Sequence, residues 1–135
     1  MPRYIAIIDF AKGMFGAYFP DAPGCTAMGA SEEEVIRNAT DALSEWASDV
    51  RADGQKLPVP RSYVQLLKSG ELEELGRGGM IATIPLISET GKTTRANVSM
   101  DVGLLNAIDE AASKRGLTRS AFLAAAAKEH LRDGG

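Results

Sequence analysis

The sequence predicts an α+β chain in two parts, and three observations predict it. Strand-length apolar runs, Tyr4 to Ile8 and Met80 to Ile87, flank a segment whose apolar residues recur at three- and four-residue steps. A polar break follows. Beyond it comes a six-residue alternating segment and then two further helical patterns. The expected fold is a small antiparallel β-sheet with one main packing helix, followed by a strand-helix-helix module. The expected boundaries are 1–87, a linker at 88–93, and 94–135.

The elements follow in order. Tyr4-Ile5-Ala6-Ile7-Ile8 is β-branched and apolar and reads as a buried strand. A turn at Lys12-Gly13 leads to a second run, Phe15 to Phe19, which completes a hairpin. Pro20, Pro23 and Gly24 punctuate the chain before a short third strand at Cys25 to Met28. Ser31 followed by Glu32, Glu33 and Glu34 predicts a capping box, with acids at the positive end of the helix dipole. Val35, Ile36, Ala39, Leu43, Trp46, Ala47 and Val50 form the apolar stripe of a helix ending near Asp53-Gly54. Leu57 to Pro60 is an extended connector, Ser62 to Leu67 a short helix, and Met80 to Ile87 another strand. These elements predict a pair of layers. Ser88 to Thr93 is polar and aperiodic, as a hinge is.

Composition narrows the function classes. A chain of 135 residues is too short for a large enzyme, and its apolar runs fall far below the roughly 20 residues of a membrane helix. The start, Met1-Pro2-Arg3-Tyr4, lacks the apolar core of a signal peptide. One cysteine, Cys25, excludes an internal disulfide and a multi-cysteine zinc site, so a reducing cytoplasm is expected, with no cofactor and no membrane. Charge divides the chain. Met1 to Gly91 holds eight Lys/Arg against thirteen Asp/Glu, a formal −5, whereas Lys92 to Gly135 holds seven against five, a formal +2. Only the back is suited to phosphates, and the acidic front suits a basic partner.

In the back, Ala96, Val98 and Met100 alternate with Arg95, Asn97 and Ser99, so one face packs and the other is free. Asp101 caps a helix carrying Leu104, Leu105, Ile108, Ala111 and Ala112, and Gly116 closes it. Thr118 caps a second helix with Phe122, Leu123, Ala126 and Leu131 facing inward. About forty residues of this kind bury too little to fold alone. A symmetric dimer is therefore expected, its core formed by Ala96, Val98, Met100, Leu105, Ile108 and Phe122. Two antiparallel copies of the strand would then present Arg95, Asn97 and Ser99 twice. Arginine matches guanine O6 and N7, asparagine matches adenine N6 and N7, and serine bonds either kind of edge, so these residues suit the major groove of double-stranded operator DNA. Thr118, Arg119 and Ser120, at a helix N-terminus, suit a phosphate.

The order of alternating strand, capped helix, Gly116, Thr118 cap and second helix resembles the ribbon-helix-helix repressors. Asp21-Ala22-Pro23-Gly24-Cys25, then Gly29, Ser31, Glu33 and Glu34, resembles the signature of HicB-type antitoxins after their second strand. Ala22 departs from the larger apolar residue frequent there. The resemblance spans the chain. It implies a truncated RNase H-like front without working catalytic carboxylates, a HicA-type RNA-cleaving toxin as partner, and repression of the shared operon. Pairing of front modules would extend the expected homodimer to a homotetramer.

Rival readings rest on single residues. A Mg²⁺-dependent nuclease would use Asp9 with Glu33 or Glu34, but a hairpin approach and helix capping account for these acids. Cys25 has no base near it in sequence, a lone His130 makes no metal site, and Trp46 lies on a core stripe. No catalytic residue and no metal ligand is therefore expected. A stand-alone ribbon-helix-helix repressor, with a front that binds a ligand or another partner, is the alternative. A tail that only clasps two chains would share the dimer but not the DNA.

Overall fold

The structure, a computed structural model, describes residues 1–73, 79–88 and 90–133. The chain divides into two compact units, Met1–Thr90 and Gly91–Leu131. The α+β expectation holds, with a four-stranded antiparallel sheet and four helices among the described residues.

In the first unit β1 (Arg3–Ala11) and β2 (Met14–Tyr18) form the expected hairpin. Lys12 and Gly13 both have positive φ, 54° and 78°, the conformation whose twist matches that of paired strands. β3 (Thr26–Gly29) pairs with β2, while β4 (Met80–Pro85) pairs with β1, giving the order β3-β2-β1-β4. β1 is thus central and buried from Tyr4 to Ile8.

The two faces of β1 meet different helices. Tyr4, Ala6 and Ile8 face α1 (Glu32–Ala52), where Val35, Ala39, Leu43 and Ala47 join Ala17, Phe19, Ile84 and Leu86 in the main core. Ile5 and Ile7 face the other way, against Leu66 of α2 (Tyr63–Ser69), Leu72 and Ile81. This corrects the expected layer pair: a third, partial layer lies behind β1, and burial on both faces explains why Tyr4 to Ile8 is continuously apolar.

Local chemistry fixes each helix. Ser31 Oγ accepts from the Glu34 N–H at 3.1 Å, but Glu34 reaches back to the N–H of Ala30, one residue earlier than a capping box requires. The reciprocal box occurs instead at Ser62 and Gln65 on α2. Around α2, Arg61 donates from Nε to Asp21 at 2.7 Å and from both terminal nitrogens to Glu71 at 2.7 and 2.9 Å. Those bonds hold the Glu71 carboxyl below its usual range. The connector is anchored too, because the Tyr4 hydroxyl donates to the Pro58 carbonyl.

The second unit contains α3 (Val102–Lys114) and α4 (Arg119–Arg132). Asp101 caps α3, accepting from Gly103 N at 2.8 Å and Leu104 N at 3.2 Å. Gly116, with φ 68°, ends it as Leu117 N donates to Ala112 O. Arg95 to Met100 carry no strand ladder in the single chain, because a ladder needs a second strand and none lies in this unit among the described residues. Of the expected linker 88–93, Glu89 lies outside the described residues, as do Gly134 and Gly135 of 94–135. Ser88 accepts from Arg51 of α1 at 3.1 Å.

Candidate functional site

The tail segment leaves polar and apolar residues alike in contact with solvent. Arg95, Asn97 and Ser99 are exposed. Ala96 and Val98 are exposed as well, Val98 at 71 %, and Met100, Leu105, Ile108 and Phe122 are only half-buried. Ala112 is the one buried hydrophobic residue of this unit among the described residues. Residues Ala96 to Met100 line an open hollow together with Leu105, Arg119, Ser120 and Leu123. The alternating segment and the start of α4 are therefore brought together.

The start of α4 holds a surprise. Thr118 Oγ1 accepts from Ala121 N at 3.1 Å, while the N–H groups of Arg119 and Ser120 have no intrahelical carbonyl to reach. The Arg119 guanidinium, however, forks onto Asp109 of α3, at 2.8 Å from Nε and 2.7 Å from a terminal nitrogen. It clamps α3 to α4. Spacing in the sequence did not reveal this pair. Arg115 lies over the Phe122 ring, 5.6 Å from its centroid, a second tie between the helices.

The Arg119 hydrogen bonds hold the Asp109 carboxyl below its ordinary value of 3.8. A carboxyl depressed in the folded state contributes stability above its unfolded pKa and loses it as pH falls through the folded one. Asp109→Asn is therefore expected to melt earlier than the parent at pH 7, with the difference shrinking as pH falls below 3.8, read by circular dichroism. A constant difference across that range would refute the clamp.

In the front, the acids considered for metal do not converge. Asp9 lies on the β1 face turned away from α1, with Ile5 and Ile7, whereas Glu34 is engaged in capping α1. Among the described residues no group of three or more His, Cys, Asp or Glu is placed to hold a metal ion. Cys25 is buried and its thiol is pushed up to about 11 by desolvation, the reverse of an activated nucleophile. Trp46 Nε1 donates to the Pro23 carbonyl at 3.0 Å, so the indole is a tie to the loop before β3. His130 is exposed on α4.

The model of a family described as the HicB-like antitoxin of bacterial toxin-antitoxin systems matches residues 4–127. The chain belongs to this family. Solved structures and a curated protein are similar to this chain. The Burkholderia pseudomallei antitoxin HicB is 27 % identical to this antitoxin, covers 97 % of it over 99 % of its own chain, and gives a TM-score of 0.56. A chain of a HicA3 and HicB3 toxin-antitoxin complex is 24 % identical, covering 63 % of this chain and 98 % of its own, with a TM-score of 0.52, a likeness of fold. An uncharacterized 14.9 kDa protein from the rep-hol intergenic region of Haemophilus phage HP1 is 28 % identical over 117 residues, 83 % of the antitoxin and 84 % of the phage protein. No helix among the antitoxin's described residues is long and apolar enough to cross a membrane.

Proposed function

We propose that this antitoxin neutralises a HicA-type RNA-cleaving toxin with residues 1–87 and represses its own operon from the cytoplasm with residues 94–135, without catalysis of its own. The family match over residues 4–127, which takes in both segments, carries the reading. Charge supports the division of labour, since the front is a formal −5 and the back +2. The acidic front covers the basic RNA-binding side of the toxin. In the back, two copies of Arg95 to Met100 pair antiparallel in a ribbon-helix-helix dimer, which front-to-front pairing can extend to a tetramer. Arg95, Asn97 and Ser99 enter the major groove, while the N–H groups of Arg119 and Ser120 grip a phosphate beside the Thr118 cap.

Binding to a duplex from the antitoxin's own promoter tests the DNA half. Arg95→Ala is expected to weaken specific binding by about 1–3 kcal/mol and to relax one base position. Arg119→Ala, which keeps the helix N–H groups but removes a positive charge beside them, should weaken operator and random duplex alike. Equal binding of parent and both variants to the two duplexes would reduce the tail to a clasp. For the toxin half, affinity that stays constant from low to high salt would contradict an acidic surface meeting a basic one.

A further inference from the structure

The sheet of the first unit is unequally covered. α1 packs on one face. On the other, α2 lays Leu66 over Ile5 and Ile7, which shields the half formed by β1 and β4. Among the described residues no helix covers the half toward β3. Strand alternation and register, with Ala11 opposite Met14, Asp9 opposite Gly16, Gly16 opposite Met28 and Tyr18 opposite Thr26, put these side chains on that half-face. Met28 is 61 % exposed, Tyr18 38 % and Met14 37 %.

Charge on this half-face is specific. A Cβ added at Gly16 would sit 3.1 Å from Asp9 Oδ1, so the missing side chain makes the room that the carboxylate uses. Among the described residues Asp9 has no ion-pair or hydrogen-bond partner. A methionine-bearing surface around one unpaired carboxylate complements a protein patch that carries Lys or Arg among apolar side chains. A second copy of the chain is the wrong occupant. The strand positions of the half-face hold no Lys or Arg, so a two-fold contact would bury two carboxylates with no cation between them.

We propose that this half-face, around Asp9, Gly16, Tyr18 and Met28, is where the antitoxin seats its toxin, with Asp9 receiving a Lys or Arg from the toxin's RNA-binding side. The assignment rests on the toxin-neutralising reading above and names its surface.

Calorimetric titration of the full chain with an inactive variant of the HicA-type protein encoded in the adjoining reading frame tests it. Met28→Glu is expected to weaken binding at least about thirtyfold, as loss of a central apolar contact does. Asp9→Asn should weaken it about tenfold and flatten the salt dependence, as loss of one charge pair does. Val64→Glu on the outer side of α2 should leave affinity unchanged, and circular dichroism of all three should match the parent. Full binding by Met28→Glu and Asp9→Asn, or loss confined to Val64→Glu, overturns the assignment and leaves the toxin reading standing. So does a Met28→Glu that lowers only the oligomeric state, which would give the face to a second copy. If the parent itself fails to bind, the toxin reading falls and takes this surface with it.

Discussion

Gly29→Ala is expected to destabilise the first unit by about 3 kcal/mol, at the upper end of ordinary overpacking. A Cβ at this position would lie 2.5 Å from Val35 N, 2.8 Å from Val35 Cα and 3.0 Å from Glu34 C. These are backbone atoms of the first turn of α1, and no side-chain rotation relieves the clash, so β3 or α1 must shift. Gly29 is the last residue of β3 and Ser31 the cap of α1, which leaves two residues to turn from strand to helix. Trp46 is the chain's sole tryptophan and sits on α1, so its fluorescence follows this unit selectively. The melting temperature should fall by about 12–24 °C for a unit of this size. Gly24→Ala is the control. Its φ is +85° but nothing lies within 4 Å of an added Cβ, so only left-handed strain of about 1–2 kcal/mol is expected. If the two variants melted together, the close approach of β3 to α1 would be wrong.

Val98→Asp is expected to have the larger effect on function, because it acts on the assembly. In a single chain Val98 is 71 % exposed, so the substitution removes little internal packing. In the proposed dimer it places a carboxylate in the apolar layer, and twofold symmetry places two. An unpaired buried charge costs about 3 kcal/mol or more, so the dimer dissociation constant should rise on the order of 10⁴-fold. Sedimentation at micromolar concentration should show dissociation of the tail pairing, with operator binding lost alongside it. Ser99→Ala, on the opposite face of the same segment, should keep the dimer. A Val98→Asp chain that still associates through its tail would show that residues 95 to 100 are not the dimer core.

Much of this was legible because short-range signals dominate it. The hairpin was marked by Lys12-Gly13, the start of α1 by Ser31, and the helices of the tail by Asp101, Gly116 and Thr118. What stayed hidden depends on partners far apart in sequence. α2 was visible as a short helix, but not that Leu66 would cover Ile5 and Ile7, since a continuous apolar run does not say what covers each face. Arg61 gave no sign of joining Asp21, forty residues earlier, and Glu71. Arg119 read as a free phosphate ligand because no periodicity links it to Asp109 on another helix. The half-face at Asp9 was invisible for the same reason: only the register shows that Asp9 stands opposite Gly16, and Gly16 opposite Met28.

The central place of β1 also governs the order in which the chain can mature. One neighbour, β2, follows within a few residues, whereas the other, β4, begins at Met80. Until the ribosome has released that far segment, one edge of β1 remains a template for foreign strands. A fragment that stops before Met80 should therefore precipitate instead of persisting as a smaller working protein, and nascent chains are most vulnerable to proteases in that interval.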